Sequence, residues 1–136
     1  MKREEKIPFL KAVLTIAKAD NDTDIREVMF YQQLCLELGL GNDELAHIQT
    51  QILSEKGTLE EFLDQITERK TKLLLLYKMM LLSYADGRVD DTETAVIKKT
   101  ADYLQIEEEK YREIEEAARE NEELRKKTDR VLEADA

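Results

Sequence analysis

Cysteine is almost missing from this chain: Cys35 is its only one, which excludes an internal disulfide and suits a reducing cytoplasm. Histidine is as scarce. His47 has no Cys or His partner nearby, so no zinc constellation can be assembled, and it reads as an ordinary helix residue. Proline occurs only at Pro8, while 38% of residues are charged and 42% hydrophobic. That balance excludes disorder and favours amphipathic helices over a turn-rich β architecture. None of the four glycines belongs to a phosphate-cradling loop. Long apolar runs are lacking too: the longest, Leu73 to Leu82, is interrupted by Lys78 and falls far short of the roughly 20 residues a membrane span requires. No membrane insertion is expected. Basic clusters are short and flanked by acids, as in Arg69-Lys70-Thr71-Lys72 and Arg125-Lys126-Lys127. With a net charge of −10 and a pI near 4.7, nucleic acid is a poor partner, because binding it depends on neutralising phosphates. The first six residues are mostly charged and contain no signal-peptide hydrophobic region, so no export is expected.

What is present is helical patterning. A length of 136 residues suits one domain with one core, and the apolar spacing predicts an all-α bundle of about seven helices. The first runs from about Ile7 to Ala19. The second carries Val28, Tyr31, Leu34, Cys35 and Leu38 inward and stops at Gly39, a left-handed C-cap. Asn42 caps a third helix with Leu45, Ile48 and Ile52. Thr58 and Glu61 form a capping box for a fourth, which buries Leu59, Phe62, Leu63 and Ile66. The apolar run is a fifth, ending at Tyr84-Ala85; being apolar on nearly every side, it belongs at the centre of the bundle. Within it, Lys78 either counters a carboxylate or snorkels its stem to the surface. A sixth presents Ala95, Val96, Lys99, Thr100, Tyr103 and Leu104, and a seventh from about Glu107 places Tyr111, Ile114, Ala117 and Ala118 on one stripe. After Arg119 only Leu124, Val131 and Leu132 interrupt dense alternating charge. The domain is therefore set at residues 1–119, with 120–136 a charged, solvated helical or frayed tail.

One pattern occurs twice. Ala19-Asp20-Asn21-Asp22-Thr23-Asp24-Ile25-Arg26-Glu27 and Ala85-Asp86-Gly87-Arg88-Val89-Asp90-Asp91-Thr92-Glu93 both read A-D-x-x-x-D-x-x-E. A single shift, the one that carries Asp20 onto Asp86, relates every position of the two. Laying residues 9 to 48 over 75 to 114 without a gap gives seven identities, four of them inside these nine-residue loops. Elsewhere apolar matches apolar, as in Ile16/Leu82, Tyr31/Ile97 and Leu40/Ile106. Two pseudo-twofold related helical modules would carry this pattern, the scaffold keeping its hydropathy and the loops their chemistry.

The acidic loops admit two readings. An EF-hand is excluded: the glycine position is held by Ile25 or Asp91, and the final glutamate position by Tyr31 or Ile97. Asp24 with Glu27, and Asp90 with Glu93, have the spacing of a capping box, in which the carboxylates only close helix ends. Asp20 and Asp86 follow the ends of predicted helices, where the macrodipole disfavours negative charge by up to about 1 kcal/mol. Asx-turns would justify each of them locally, and a cation would justify both together. Each nine-residue stretch carries four carboxylates and one arginine, net −3. Brought together, the two would repel unless an ion, a pKa shift or a pair between Arg88 and Asp22 relieved the charge. Oxygen-only ligands suit Mg²⁺ or Ca²⁺ over zinc.

The second loop, Ala85-Asp86-Gly87-Arg88-Val89-Asp90-Asp91-Thr92-Glu93, together with the first loop and the later Leu38-Gly39-Leu40, resembles the tellurite-resistance TerB family over about Ile7 to Arg119. It is also similar to related TerB-like domains, including the N-terminal region of some membrane-anchored DnaJ co-chaperones. The first loop departs from the pattern, with Asn21-Asp22 in place of Gly-x. The resemblance implies an all-helical domain of two related modules, a link to stress responses, and divalent-cation binding by Asp20, Asp24 and Glu27 in one loop and Asp86, Asp90 and Glu93 in the other. No nucleophile with an orienting base is evident. The chain therefore reads as a cytoplasmic, non-enzymatic domain that binds a divalent cation, or a protein partner with a basic surface. The alternatives are an interaction module whose loops only cap helices and, third, a two-metal carboxylate hydrolase.

Overall fold

The computed structural model describes residues 1–19, 25–41, 43–44, 46–47, 58–84 and 91–133, with the backbone alone at 16–19, 25–28 and 31. The protein is all-α. Six helices and no strand are present among the described residues: α1 Arg3–Ala19, α2 Ile25–Glu37, α3 Leu59–Asp64, α4 Arg69–Tyr84, α5 Asp91–Tyr103 and α6 Glu108–Glu133. Of the helix expected after Asn42, residues Asp43, Glu44, Ala46 and His47 are helical; Asn42, Leu45, Ile48 and Ile52 lie outside the described residues.

Two helices make the centre. α1 packs on α2, α3, α4 and α5, and α4 packs on α1, α5 and α6. Phe9, Leu10, Ala12 and Val13 of α1 meet Leu75, Leu76, Met79 and Leu82 of α4 in one core, all with almost no exposure. The burial of Thr71 and Ser83 with these residues fits the expectation of a central helix. α3 closes one side through Phe62 and Leu63, and its capping box forms as the sequence indicates, with Thr58 Oγ1 accepting from the Glu61 amide and Glu61 from the Thr58 amide. Lys78 settles on its carboxylate alternative: Nζ lies 3.0 Å from Glu37 of α2.

Several details differ from the periodicity. α1 begins at Arg3, a turn before Ile7, because Glu4 and Glu5 favour a first turn. On α5 the inward edge is Glu93, Ile97, Thr100 and Ala101, continued by Leu104 just past its end, while Ala95, Lys99 and Tyr103 face outward. Ala117 is exposed although Ala118 is fully buried. Arg119 lies inside an unbroken α6, and Glu122 beyond it is buried.

The helix frames repeat. The shift that carries Asp20 onto Asp86 also carries Ile25 and Glu37, the ends of α2, onto Asp91 and Tyr103, the ends of α5. It carries Arg3, which opens α1, onto Arg69, which opens α4. Both α2 and α5 end in a Schellman motif. Leu40 N–H donates to Cys35 and Gly39 N–H to Leu36; at the equivalent positions Ile106 donates to Ala101 and Gln105 to Asp102. The left-handed residue is Gly39 (φ 73) in one and Gln105 (φ 58) in the other. A Cβ at Gly39 would meet only the Lys6 Nζ at 4.0 Å, so the penalty there is conformational. Gly39→Ala should therefore lower stability by about 1–2 kcal/mol, and Gln105→Gly raise it by up to about 1 kcal/mol. Urea midpoints of the two variants moving in the same direction would refute this account.

Candidate functional site

The acidic motifs flank the starts of α2 and α5. α2 begins at the residue after Asp24, and α5 at the residue after Asp90. Glu27 and Glu93 are thus each the third residue of a thirteen-residue helix. Asp20, Asp24, Asp86 and Asp90 lie outside the described residues, as does the Glu27 side chain. Only Glu93 can be followed in full: its side chain is 1% exposed, held beside Ile97 and Thr100 on the buried edge of α5. A carboxylate taken this far from water must be compensated by hydrogen bonds or positive charge, and the α5 N-terminus supplies part of that through its dipole. Among the described residues no three His, Cys, Asp or Glu side chains come together as a metal site.

A buried carboxylate that periodicity did not reveal is Glu5. Its Oε1 accepts from the Thr67 amide at 2.7 Å, the Thr67 hydroxyl at 3.0 Å and the Glu68 amide at 3.4 Å. The Glu5 carboxylate, far away in sequence, therefore closes the backbone just ahead of α4. Burial pushes its pKa up, but the Thr67 and Glu68 donors together outweigh burial and hold it below the ordinary 4.5. The only sequence signal for this role was an acidic pair in front of Pro8.

Two further regions are concave. Between α5 and α6 a cleft of about 460 Å³ is lined by Lys98, Asp102, Tyr111, Arg112 and Glu115 among others. Burial, with help from Glu115, pushes the Tyr111 phenol up to about 12, so it is a hydrogen-bond donor at neutral pH. Phe30 and Leu81 line a groove between α2 and α6, with Gln33 and Asn121 along it. Glu5, Glu60 and Glu107 are held below the ordinary carboxylate value, and Tyr84, Tyr103 and Tyr111 are pushed above the ordinary phenol value.

Comparison with known proteins bears on the family. The family model described as tellurite resistance protein TerB matches residues 43–116, more than half of the chain. The chain belongs to the TerB family. The match spans the second acidic loop and stops short of the first. The crystal structure of a tellurite resistance protein from Nostoc punctiforme PCC 73102 is similar to this TerB-family fold, with a TM-score of 0.73 and 26% identity over 97% of this chain and 82% of that one. No curated protein matches the chain. Among the described residues, no helix is long and apolar enough to cross a membrane.

Proposed function

We propose that this TerB-family chain is a non-enzymatic cytoplasmic module of two pseudo-twofold related halves whose paired acidic loops take a divalent cation, Mg²⁺ or Ca²⁺, in a role connected with tellurite resistance or stress. The observation that carries the proposal is the placement of the two A-D-x-x-x-D-x-x-E motifs on helix frames that repeat at the same offset as the motifs themselves. Matching buried positions support the duplication: Phe9 with Leu75, Leu10 with Leu76, Val13 with Met79, Cys35 with Ala101 and Leu38 with Leu104. The helical residues from Asp43 fall where α6 would begin one offset earlier, which supports a seventh helix. Asp20, Asp24 and Glu27, with Asp86, Asp90 and Glu93, would be the oxygen donors. A cation there leaves an acidic loop surface suited to a basic protein partner.

The second reading, an interaction module whose loops only cap helices, draws on one observation: Glu27 and Glu93 each stand three residues after an Asp that directly precedes a helix, which is capping-box spacing. Asp20 and Asp86 separate the two, because neither is in a capping position. A cation that binds only the folded state stabilises it by about 1.4 kcal/mol at tenfold excess over Kd. Ca²⁺ or Mg²⁺ at fixed ionic strength should raise the melting temperature, and Asp20→Asn or Asp86→Asn should remove most of the rise. If both variants melt like the parent with and without the ion, the cation reading ends and the interaction module takes its place.

A further inference from the structure

α6 is polarised along its length. Residues 108–123 hold eight acids and three bases, whereas 124–133 hold four bases and two acids. Some of these charges are satisfied within the helix: Lys110 with Glu113, Arg112 with Glu108, Arg119 with Glu115, and Arg125 with both Glu122 and Asp129. Glu116, Glu120 and Glu123 in the first half, and Lys126, Lys127 and Arg130 in the second, are exposed and form no ion pair among the described residues. The inner edge of the helix is Ile114, Ala118 and Glu122. On the outer side Ala117, Leu124 and Val131 recur at heptad spacing, with Leu124 63% and Val131 61% exposed. At about 100° per residue, Glu116, Glu120, Glu123, Lys127 and Arg130 fall along one flank of that stripe, acids first and bases after.

Such a flank is complementary to itself only when reversed. We propose that the outer face of α6 is a homodimer surface, on which the α6 helices of two copies lie antiparallel about a twofold axis near Leu124. In that arrangement each flank meets its own copy running the other way, so Glu120 faces Lys127 of the second copy and Glu116 faces Arg130, each pair occurring twice by symmetry. Leu124 packs near its own equivalent, and Val131 near Ala117. A parallel pairing would set the acidic half of one helix beside the acidic half of the other and the basic halves likewise, so the charge order selects direction as well as partner. This proposal rests on α6 alone and does not depend on the cation reading.

The test is sedimentation equilibrium of the full chain over a wide concentration range, with circular dichroism to check that each variant is helical. The parent should form a reversible dimer that weakens as salt is raised. Lys127→Glu turns two attractions into two repulsions and should weaken association by at least about tenfold. Adding Glu120→Lys to Lys127→Glu restores opposite signs across the axis and should recover most of the loss. Leu124→Glu should abolish the dimer. A parent that is monomeric at every concentration overturns the proposal. So does a dimer indifferent to Lys127→Glu, or a double variant no tighter than the single one. Because Lys127 and Glu120 are exposed, their variants decide the matter even if Leu124→Glu fails to fold.

Discussion

Replacing Phe9 with alanine should lower the stability of the fold by about 3–5 kcal/mol, the loss typical of removing a fully buried aromatic ring. Phe9 is 0% exposed and lies on α1, the helix that touches α2, α3, α4 and α5. α1 is held by four helices at once, so the site has little freedom to collapse and the cavity persists. Leu75, the equivalent residue on α4, is also 0% exposed, and Leu75→Ala should cost about 2–5 kcal/mol. Leu36, 75% exposed on α2, gives the control: Leu36→Ala should stay within about 0.5 kcal/mol of the parent. Urea unfolding with an unchanged slope measures all three. A Phe9→Ala midpoint no lower than that of Leu36→Ala would mean that the α1 and α4 seam is not where the stability resides.

Glu5→Ala should cost about 2–3 kcal/mol at neutral pH, since bonds to a charged acceptor are worth more than neutral ones. The carboxylate accepts two short hydrogen bonds from Thr67 and a longer one from the Glu68 amide. Thr67 itself is exposed, so water replaces part of what is lost, which keeps the figure at a few kcal/mol. The pH dependence has a definite sign. Because the folded pKa lies below the ordinary 4.5, the unfolded chain takes up the proton first as pH falls. The stabilisation is therefore complete above about 4.5 and disappears as pH drops through the folded value. Glu60, held low first by its own backbone amide and then by Lys99, acts in the same direction. Comparing urea midpoints at neutral and acidic pH should show a smaller acid loss in Glu5→Gln than in the parent. An equal loss in both would place the acid sensitivity elsewhere.

Much of the architecture was readable from residue order because it rests on short-range physics. Thr58 and Glu61 announce a helix start through a hydrogen-bond exchange within a single turn. Gly39 marks a helix end because a left-handed residue is least strained without a Cβ. The corresponding end at Gln105 lacked that sign, although it closes with the same pair of backbone bonds. The hydropathy around Leu38 and Leu104 carried the correspondence that glycine did not. The phase of α5 was harder, since its buried edge includes Glu93, a charged residue that a search for apolar spacing passes over.

The sequence by itself determined the all-α class, the central position of the apolar helix, the repeated acidic motif with its constant offset, and the resemblance to the TerB family. Each depends on composition, on periodicity or on residues within a few positions of one another. Tertiary structure alone decided that Glu5 closes the start of α4, that Lys78 meets Glu37 and that Tyr103 donates to Asp64. It also decided which face of α6 is left bare. Those outcomes join residues many turns apart in sequence and depend on how α2, α3, α4 and α5 dock around α1, with α5 and α6 packed on α4. A carboxylate's fate is set by whichever donors the docked neighbours bring to it, and no local pattern encodes that.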